Sequence, residues 1–224
     1  MLLKMALRSL TGSLGLALLL FLPAGSLQWP GGWAFIILLQ GCGLATGLWL
    51  LRTNPALLAE RMASPFSAEQ RLRDRAIIAA TLLACAAWIV AMGLDRRFDG
   101  PQAPAWGMVA GALLIFASFL GFAWVLRVNS FAAITVRVQA ARGQTVISTG
   151  PYAVVRHPMY AFGLLLMLGT PLLLGSLRGL AGIALLLPLL GARTLGEEAL
   201  LMAELPGYAA YAARVRYRLV PGLW

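Results

Sequence analysis

The only histidine in the chain, His157, stands in its densest cluster of rigid and polar groups, Gly150-Pro151-Tyr152-Ala153-Val154-Val155-Arg156-His157-Pro158-Met159-Tyr160. The cluster sits at the mouth of a long apolar run. Proline fits the first turn of a helix, so Pro158 predicts a helix start whose free backbone N–H groups suit a carboxylate or a phosphate. Tyrosine rings such as those of Tyr152 and Tyr160 can face a cation. Further along, Arg193 and Glu197 stand four residues apart and share one helical face. A carboxylate can hold an ammonium group and an arginine an anionic one. Together these types suit a zwitterionic, cationic cofactor and a substrate with an anionic or polar head on a lipid-like body. Each also has a plain structural role. An exposed Arg–Glu pair at this spacing contributes only about 0.2–0.5 kcal/mol, and tyrosines or an Arg-His pair at the end of a span are common interfacial anchors.

The composition says where such a site must sit. Apolar residues make up 60% of the 224 and charged residues 12%, and the mean hydropathy is +0.82. A soluble domain carries roughly 45–50% apolar and about 25% charged residues, so the chain reads as a membrane protein long enough for one compact helical bundle. The net charge of +10 does not indicate nucleic-acid binding, because the arginines fall in short loops between apolar spans, where they are topology signals. Cys42 and Cys85 lie inside apolar runs without metal-ligand spacing. No metal site and no disulfide is expected, and both read as small buried hydrophobes.

A bilayer core takes about 20 apolar residues per crossing. Residues 9–51 carry no charge and supply two, a first helix over 8–24 and a second over 32–51, divided at Pro23-Ala24-Gly25-Ser26 and Pro30-Gly31-Gly32 with Trp29 and Trp33 at the interface. Lys4 and Arg8 before the first run give it the look of a signal peptide, but the second span follows at once, so it reads as a retained helix. Residues 54–74 are amphipathic, begin with a good helix start at Asn54-Pro55, and read as a helix lying on the membrane face or as a solvated connector. Further spans are expected over 76–94 and within 104–126. Gly43-x-x-x-Gly47 and Gly107-x-x-x-Gly111 offer close helix packing. A polar loop over 127–156 leads into the His157 cluster. A fifth run over 158–177 is interrupted at Gly169-Thr170-Pro171. The last, 179–192, is short for a crossing, so the final pair reads as a tilted hairpin followed by a polar tail over 193–224.

The fold class predicted is therefore all-α, a polytopic transmembrane bundle of about six crossings, with an N-terminal region 1–128 and a C-terminal region 129–224. With six crossings, fifteen of the eighteen Lys and Arg residues fall on one side and only Arg96, Arg97 and Arg178 on the other. By the positive-inside rule both termini, the His157 cluster and the tail are cytoplasmic. Seventeen arginines against one lysine suggest a GC-rich genome and a bacterial inner membrane.

Gly150-Pro151-Tyr152…Arg156-His157-Pro158-Met159-Tyr160, then Arg193-Thr194-Leu195-Gly196-Glu197-Glu198, then Pro206-Gly207-Tyr208…Tyr211…Arg214-Val215 closely resembles the isoprenylcysteine carboxyl methyltransferase family, whose wider relatives are membrane phospholipid N-methyltransferases. The resemblance is specific over about 138–224. It implies S-adenosylmethionine as cofactor, bound by the C-terminal half. Carried over, Tyr152, His157, Pro158, Met159 and Tyr160 line the cofactor site, with Gln139 and the strand-like segment Gln144, Thr145, Val146 and Ile147. Glu197 contacts the cofactor, and Arg193 meets the substrate carboxylate near the reacting centre. The implied reaction is in-line attack on the sulfonium methyl, favoured by alignment and by exclusion of water. A carboxylate acceptor is already ionised at pH 7 and needs no strong base.

Other acceptors fit the same scaffold: a phospholipid amine, a small thiol or a quinone-like lipid. A transporter would place ionisable residues or broken helices at the bilayer midplane, whereas the charges here lie at span ends. A reductase of the sterol-reductase type would bind NADPH instead. The partners expected are the lipid bilayer and a lipophilic or lipidated substrate.

Overall fold

The computed structural model describes residues 1–64, 66, 72–133 and 137–224. Among the described residues eight α-helices follow in order: α1 Leu2–Ala24, α2 Pro30–Thr53, α3 Pro55–Arg61, α4 Leu72–Arg97, α5 Ala105–Val128, α6 Pro158–Leu174, α7 Leu177–Glu204 and α8 Tyr208–Arg214. Among the described residues the only β-type pairing is an isolated bridge between Gln102 and Ser176. The chain is a polytopic helical bundle, as its composition requires. Among the described residues five helices, α1, α2, α4, α5 and α7, are long and apolar enough to cross a membrane, and α6 is a shorter apolar helix of 17 residues. At 1.5 Å per residue α6 is about 26 Å long, slightly under a typical hydrocarbon core of about 30 Å.

Two apolar clusters fix the direction of each helix. Met5, Leu50, Leu126 and Met159 meet at one end, joined by Leu57 and Leu58 of α3. Ala24, Trp29, Phe35, Met92, Leu173 and Leu174 meet towards the other. The start of α1, the end of α2, the end of α5 and the start of α6 therefore share an end. The helices alternate, and α7 returns to that same end with Arg193 and Glu197. Only Gly175 and Ser176 separate α6 from α7.

Local chemistry explains the boundaries. Gly25 and Gly175 close α1 and α6 in the left-handed conformation that favours glycine. Asn54 caps α3, accepting the Leu57 N–H at 3.0 Å. Leu57 and Leu58 are the apolar side expected of that segment, and both are buried. Positions 65 and 67–71 of the amphipathic stretch 54–74, and 134–136 of the polar loop 127–156, lie outside the described residues.

The last two runs differ from the sequence reading. Gly169-Thr170-Pro171 does not interrupt the fifth run but lies inside α6, where a Cβ on Gly169 would come 2.6 Å from the Gly111 carbonyl oxygen. A turn of small residues here is a packing contact, not a break. The sixth run does not stop at 192. α7 is 28 residues long in all and continues to Glu204, because Arg193, Leu195 and the stretch from Glu197 to Glu204 are helix formers that carry the pattern past the apolar part. Leu205 leaves the helical region because Pro206 follows. Of the two glycine pairs, one member of each does the packing. A Cβ on Gly111 would lie 2.4 Å from the Leu173 nitrogen and one on Gly47 2.7 Å from the Met5 methyl, while Gly43 has nothing within 4 Å. Cys42 and Cys85 are free and half-buried rather than fully buried.

Candidate functional site

The end of α5, the start of α6, the last turns of α7 and α8 enclose a half-open pocket with a cavity volume of about 120 Å³. Of the residues expected to form a site, Gln144, Thr145, Val146, Ile147, Tyr152, His157, Met159, Tyr160 and Glu197 line it. Gln139, Pro158 and Arg193 are not among the lining residues.

Each of those three has another place. The Gln139 side chain is spent on its own loop: Nε2 donates to the Phe131 carbonyl at 2.7 Å, and Oε1 accepts from Arg142 Nη1. Its backbone N–H donates to Gln144 Oε1 at 2.7 Å, so Gln144 holds the loop with its side chain while lining the pocket. The segment 144–147 has no regular secondary structure and forms no strand pairing. Pro158 is fully buried at the first position of α6. Arg193 lies one turn before Glu197 on α7 and donates from Nε to the Tyr160 hydroxyl at 3.0 Å.

That hydroxyl is the junction of the site. Tyr160 Oη accepts from Arg193 and donates to Glu197 Oε2 at 2.6 Å. The i, i+4 spacing of Arg193 and Glu197 thus brackets a tyrosine from the neighbouring helix. The His157 ring lies parallel to that of Tyr160, with centroids 5.8 Å apart and planes 15° from parallel. Tyr152 is anchored at both ends: its hydroxyl accepts from Asn129 Nδ2 at 2.7 Å and its carbonyl accepts from the Tyr211 hydroxyl at 2.8 Å.

Burial governs the protonation states. It holds the His157 imidazole below its ordinary value, against the pull of the Glu197 and Glu198 charges, which favour the cation. The ring is thereby biased towards its neutral form. Burial pushes the Tyr152 phenol up to about 12, opposed by the Asn129 hydrogen bond. The Tyr208 phenol is raised by burial and then by Glu198 and Glu197, so its hydroxyl keeps its proton. Among the polar atoms of lining residues that are buried without a hydrogen-bond partner among the described residues are His157 Nε2 and Tyr208 Oη. A buried polar group with nothing to bond costs about 1–3 kcal/mol, a cost that a polar ligand would remove.

Sequence reasoning missed part of the wall. Asn129, Phe131, Tyr208 and Tyr211 line the pocket, as do Leu200, Leu201 and Leu205. Pro206-Gly207-Tyr208…Tyr211 stood among the motifs, and its signal was there to use: two tyrosines three apart on one face of α8.

Residues 106–205 match the family model described as phospholipid methyltransferase. The match runs through nearly all of α5 and all of α6 and α7, so it takes in Tyr152, His157, Tyr160, Arg193 and Glu197. No curated protein matches the chain. A membrane methyltransferase is the activity this likeness supports, without selecting an acceptor.

Proposed function

We propose that the chain is an integral membrane methyltransferase that uses S-adenosylmethionine to methylate a lipophilic acceptor, through a site built by the region 129–224. The observation that carries this reading is the convergence of Tyr152, His157, Met159, Tyr160, Glu197 and the 144–147 segment on one pocket, beside the unpartnered His157 Nε2 and Tyr208 Oη. The donor set fits the cofactor. Glu197 offers a carboxylate to its ammonium or sulfonium charge, the tyrosine rings offer π-faces to a cation, and the two unpartnered atoms offer hydrogen bonds. When bound, the cofactor supplies an electrophilic methyl group on sulfur.

The protein's own part is placement and dryness. Met159, Leu200, Leu201 and Leu205 give the pocket apolar walls that exclude water. Tyr160, held between Arg193 and Glu197, fixes the carboxylate in direction. Arg193 lies four residues, about 6 Å of helix, nearer the bilayer than Glu197, on the side from which a lipophilic acceptor comes. An anionic head meeting Arg193 there makes carboxylate O-methylation of the isoprenylcysteine type the favoured reaction. No proton need be removed from such an acceptor at pH 7. A phospholipid amine is the second reading, supported by the family match. The positive-inside bias supports a cytoplasmic pocket end and cytoplasmic termini, on the side where the soluble cofactor is made. The single histidine serves as a cofactor contact rather than a general base.

Calorimetry on purified protein in nanodiscs tests this. S-adenosylmethionine and S-adenosylhomocysteine bind the wild type. Glu197→Ala weakens that binding by tenfold or more, whereas Arg193→Ala leaves it within about twofold and slows methyl transfer. Absence of binding to the wild type overturns the assignment. With a labelled methyl group over membrane extracts, a carboxyl ester releases its label in alkali and an N-methyl product retains it.

A further inference from the structure

Glu197 and Glu198 are adjacent on α7, and successive residues of an α-helix point about 100° apart. Glu197 meets Tyr160 in the pocket. Glu198 faces elsewhere, into a buried seat between two arginines. Arg156 Nε lies 2.7 Å from its Oε1 and Arg218 Nε 2.6 Å from its Oε2. The side chains of Arg156 and Glu198 are only 8% and 7% exposed. Arg156 also donates from Nη1 to the carbonyls of Ala212 and Val215, at 3.1 and 3.2 Å.

The last residues of the chain close this seat from outside. The N–H groups of Arg156 and His157 donate to the carbonyls of Tyr217 and Arg218, both at 2.9 Å. The Arg218 guanidinium lies 5.4 Å from the Trp224 ring centroid. The N–H groups of Arg218, Leu219 and Val220 converge on the Trp224 carbonyl at 2.9, 2.9 and 3.2 Å. One segment therefore grips the residues just before α6 by its backbone and the last part of α7 by a side chain.

We propose that residues 217–224 and Glu198 form a latch that sets the rotational phase of α7, and that Arg218 is a positioning residue for Glu197. The Arg218 donor on Oε2 and the Arg156 guanidinium against Oε1 hold the buried carboxylate from both sides. Without Arg218 the charge is still compensated by Arg156, but the buried Oε2 loses its hydrogen-bond donor. Its escape is rotation of the α7 end towards solvent. Glu197 is on the same turn and moves with it, away from Tyr160. The inference rests on the reading of Glu197 as a cofactor contact.

A double-mutant cycle separates positioning from simple support of the fold, because residues acting through one another are non-additive. Arg218→Ala weakens S-adenosylhomocysteine binding about tenfold in the wild-type background. In the Glu197→Gln background, where the group being positioned is already gone, it changes binding less than twofold. Arg218→Lys keeps a charge on Glu198 and recovers most of the affinity. Should Arg218→Ala not fold, Trp224→Ala leaves both ion pairs in place, uncovers Arg218 and gives a loss of about threefold with the same background dependence. Equal losses in both backgrounds overturn the latch. Amide hydrogen exchange gives a second readout that needs no cofactor: the variant exchanges faster at 156–161 and 195–201 together, and unchanged protection there overturns the latch. If the wild type binds no cofactor, the proposed activity fails, and exchange alone decides the latch.

Discussion

The two ends of the bundle handle buried polar groups in opposite ways. Away from the pocket, Asp95 is buried among the ends of α4, α6 and α7, and both of its carboxylate oxygens are bonded. Ser176 Oγ donates to it at 2.6 Å and Arg178 Nη1 at 2.9 Å, while Ser176 in turn accepts the Gly179 N–H at 3.0 Å. Around this triad the helices touch nearly backbone to backbone: a Cβ on Gly93 would lie 2.6 Å from the Leu20 carbonyl, and one on Gly179 2.8 Å from the Met92 sulfur. At the pocket end charges are buried too, in the Arg156–Glu198–Arg218 seat. Beside them, however, His157 Nε2 and Tyr208 Oη find no hydrogen-bond partner among the described residues. One end is completed by its own side chains. The other, on the proposed reading, is arranged for a cofactor.

Substitutions at the two ends should therefore separate stability from binding. The largest effect belongs to the packed end. Gly111→Leu drives a side chain into the Leu173 backbone and should cost about 3 kcal/mol or more, at the upper limit for overpacking, seen as loss of the thermal transition in detergent. A well-folded variant would show that α5 and α6 need not be this close. Asp95→Ala should cost about 1–3 kcal/mol by leaving the buried Ser176 hydroxyl with one partner fewer, while Arg178, 66% exposed, rehydrates. Cofactor affinity should stay within twofold of wild type, and a larger change would mean that the two ends are coupled. Tyr208→Phe should do the reverse, weakening binding several-fold while the ligand-free melting temperature holds or rises slightly, because an unpartnered buried hydroxyl is removed. A drop in melting temperature would mean that the hydroxyl is bonded in the absence of ligand.

The smallest expected effect is in pH. His157 titrates lower in the folded chain than its ordinary 6.5, so the unfolded chain binds more protons between those values. Stability from this group is present above pH 6.5 and is lost as pH falls through that window. Thermal melts from pH 7.5 to 5 should fall less steeply for His157→Gln than for the wild type, and parallel curves would contradict the buried, neutral ring.

Much of the architecture was legible because apolar run length is a strong signal. The spans around 8–24, 32–51, 76–94 and 104–126 each correspond to a helix, and each helix runs a few residues further at one or both ends. Run length also misled at the point that matters most. It ended the last span at Arg193, although a helix does not stop where it leaves lipid, and Arg193 and Glu197 belong to the same rod as the span. The site was legible where residues act locally, as in Tyr152, His157 and Tyr160. It was not legible where a side chain meets a partner far away in sequence. Nothing in the spacing of Glu198 says that Arg156 and Arg218 will enclose it, and nothing near Gln139 says that its amide is used up on Phe131 and Arg142.

The continuity of α7 has a mechanical consequence. At 28 residues it is about 42 Å long, some 12 Å more than a typical hydrocarbon core. Its excess length carries Glu197 into the pocket on one continuous helix, with Pro188 inside it. The height of that carboxylate above the acyl chains is thus tied to membrane thickness: a thinner bilayer lifts it relative to the headgroups and a thicker one draws it down, by tilt of that helix. Lipid chain length becomes one of the coordinates of the site.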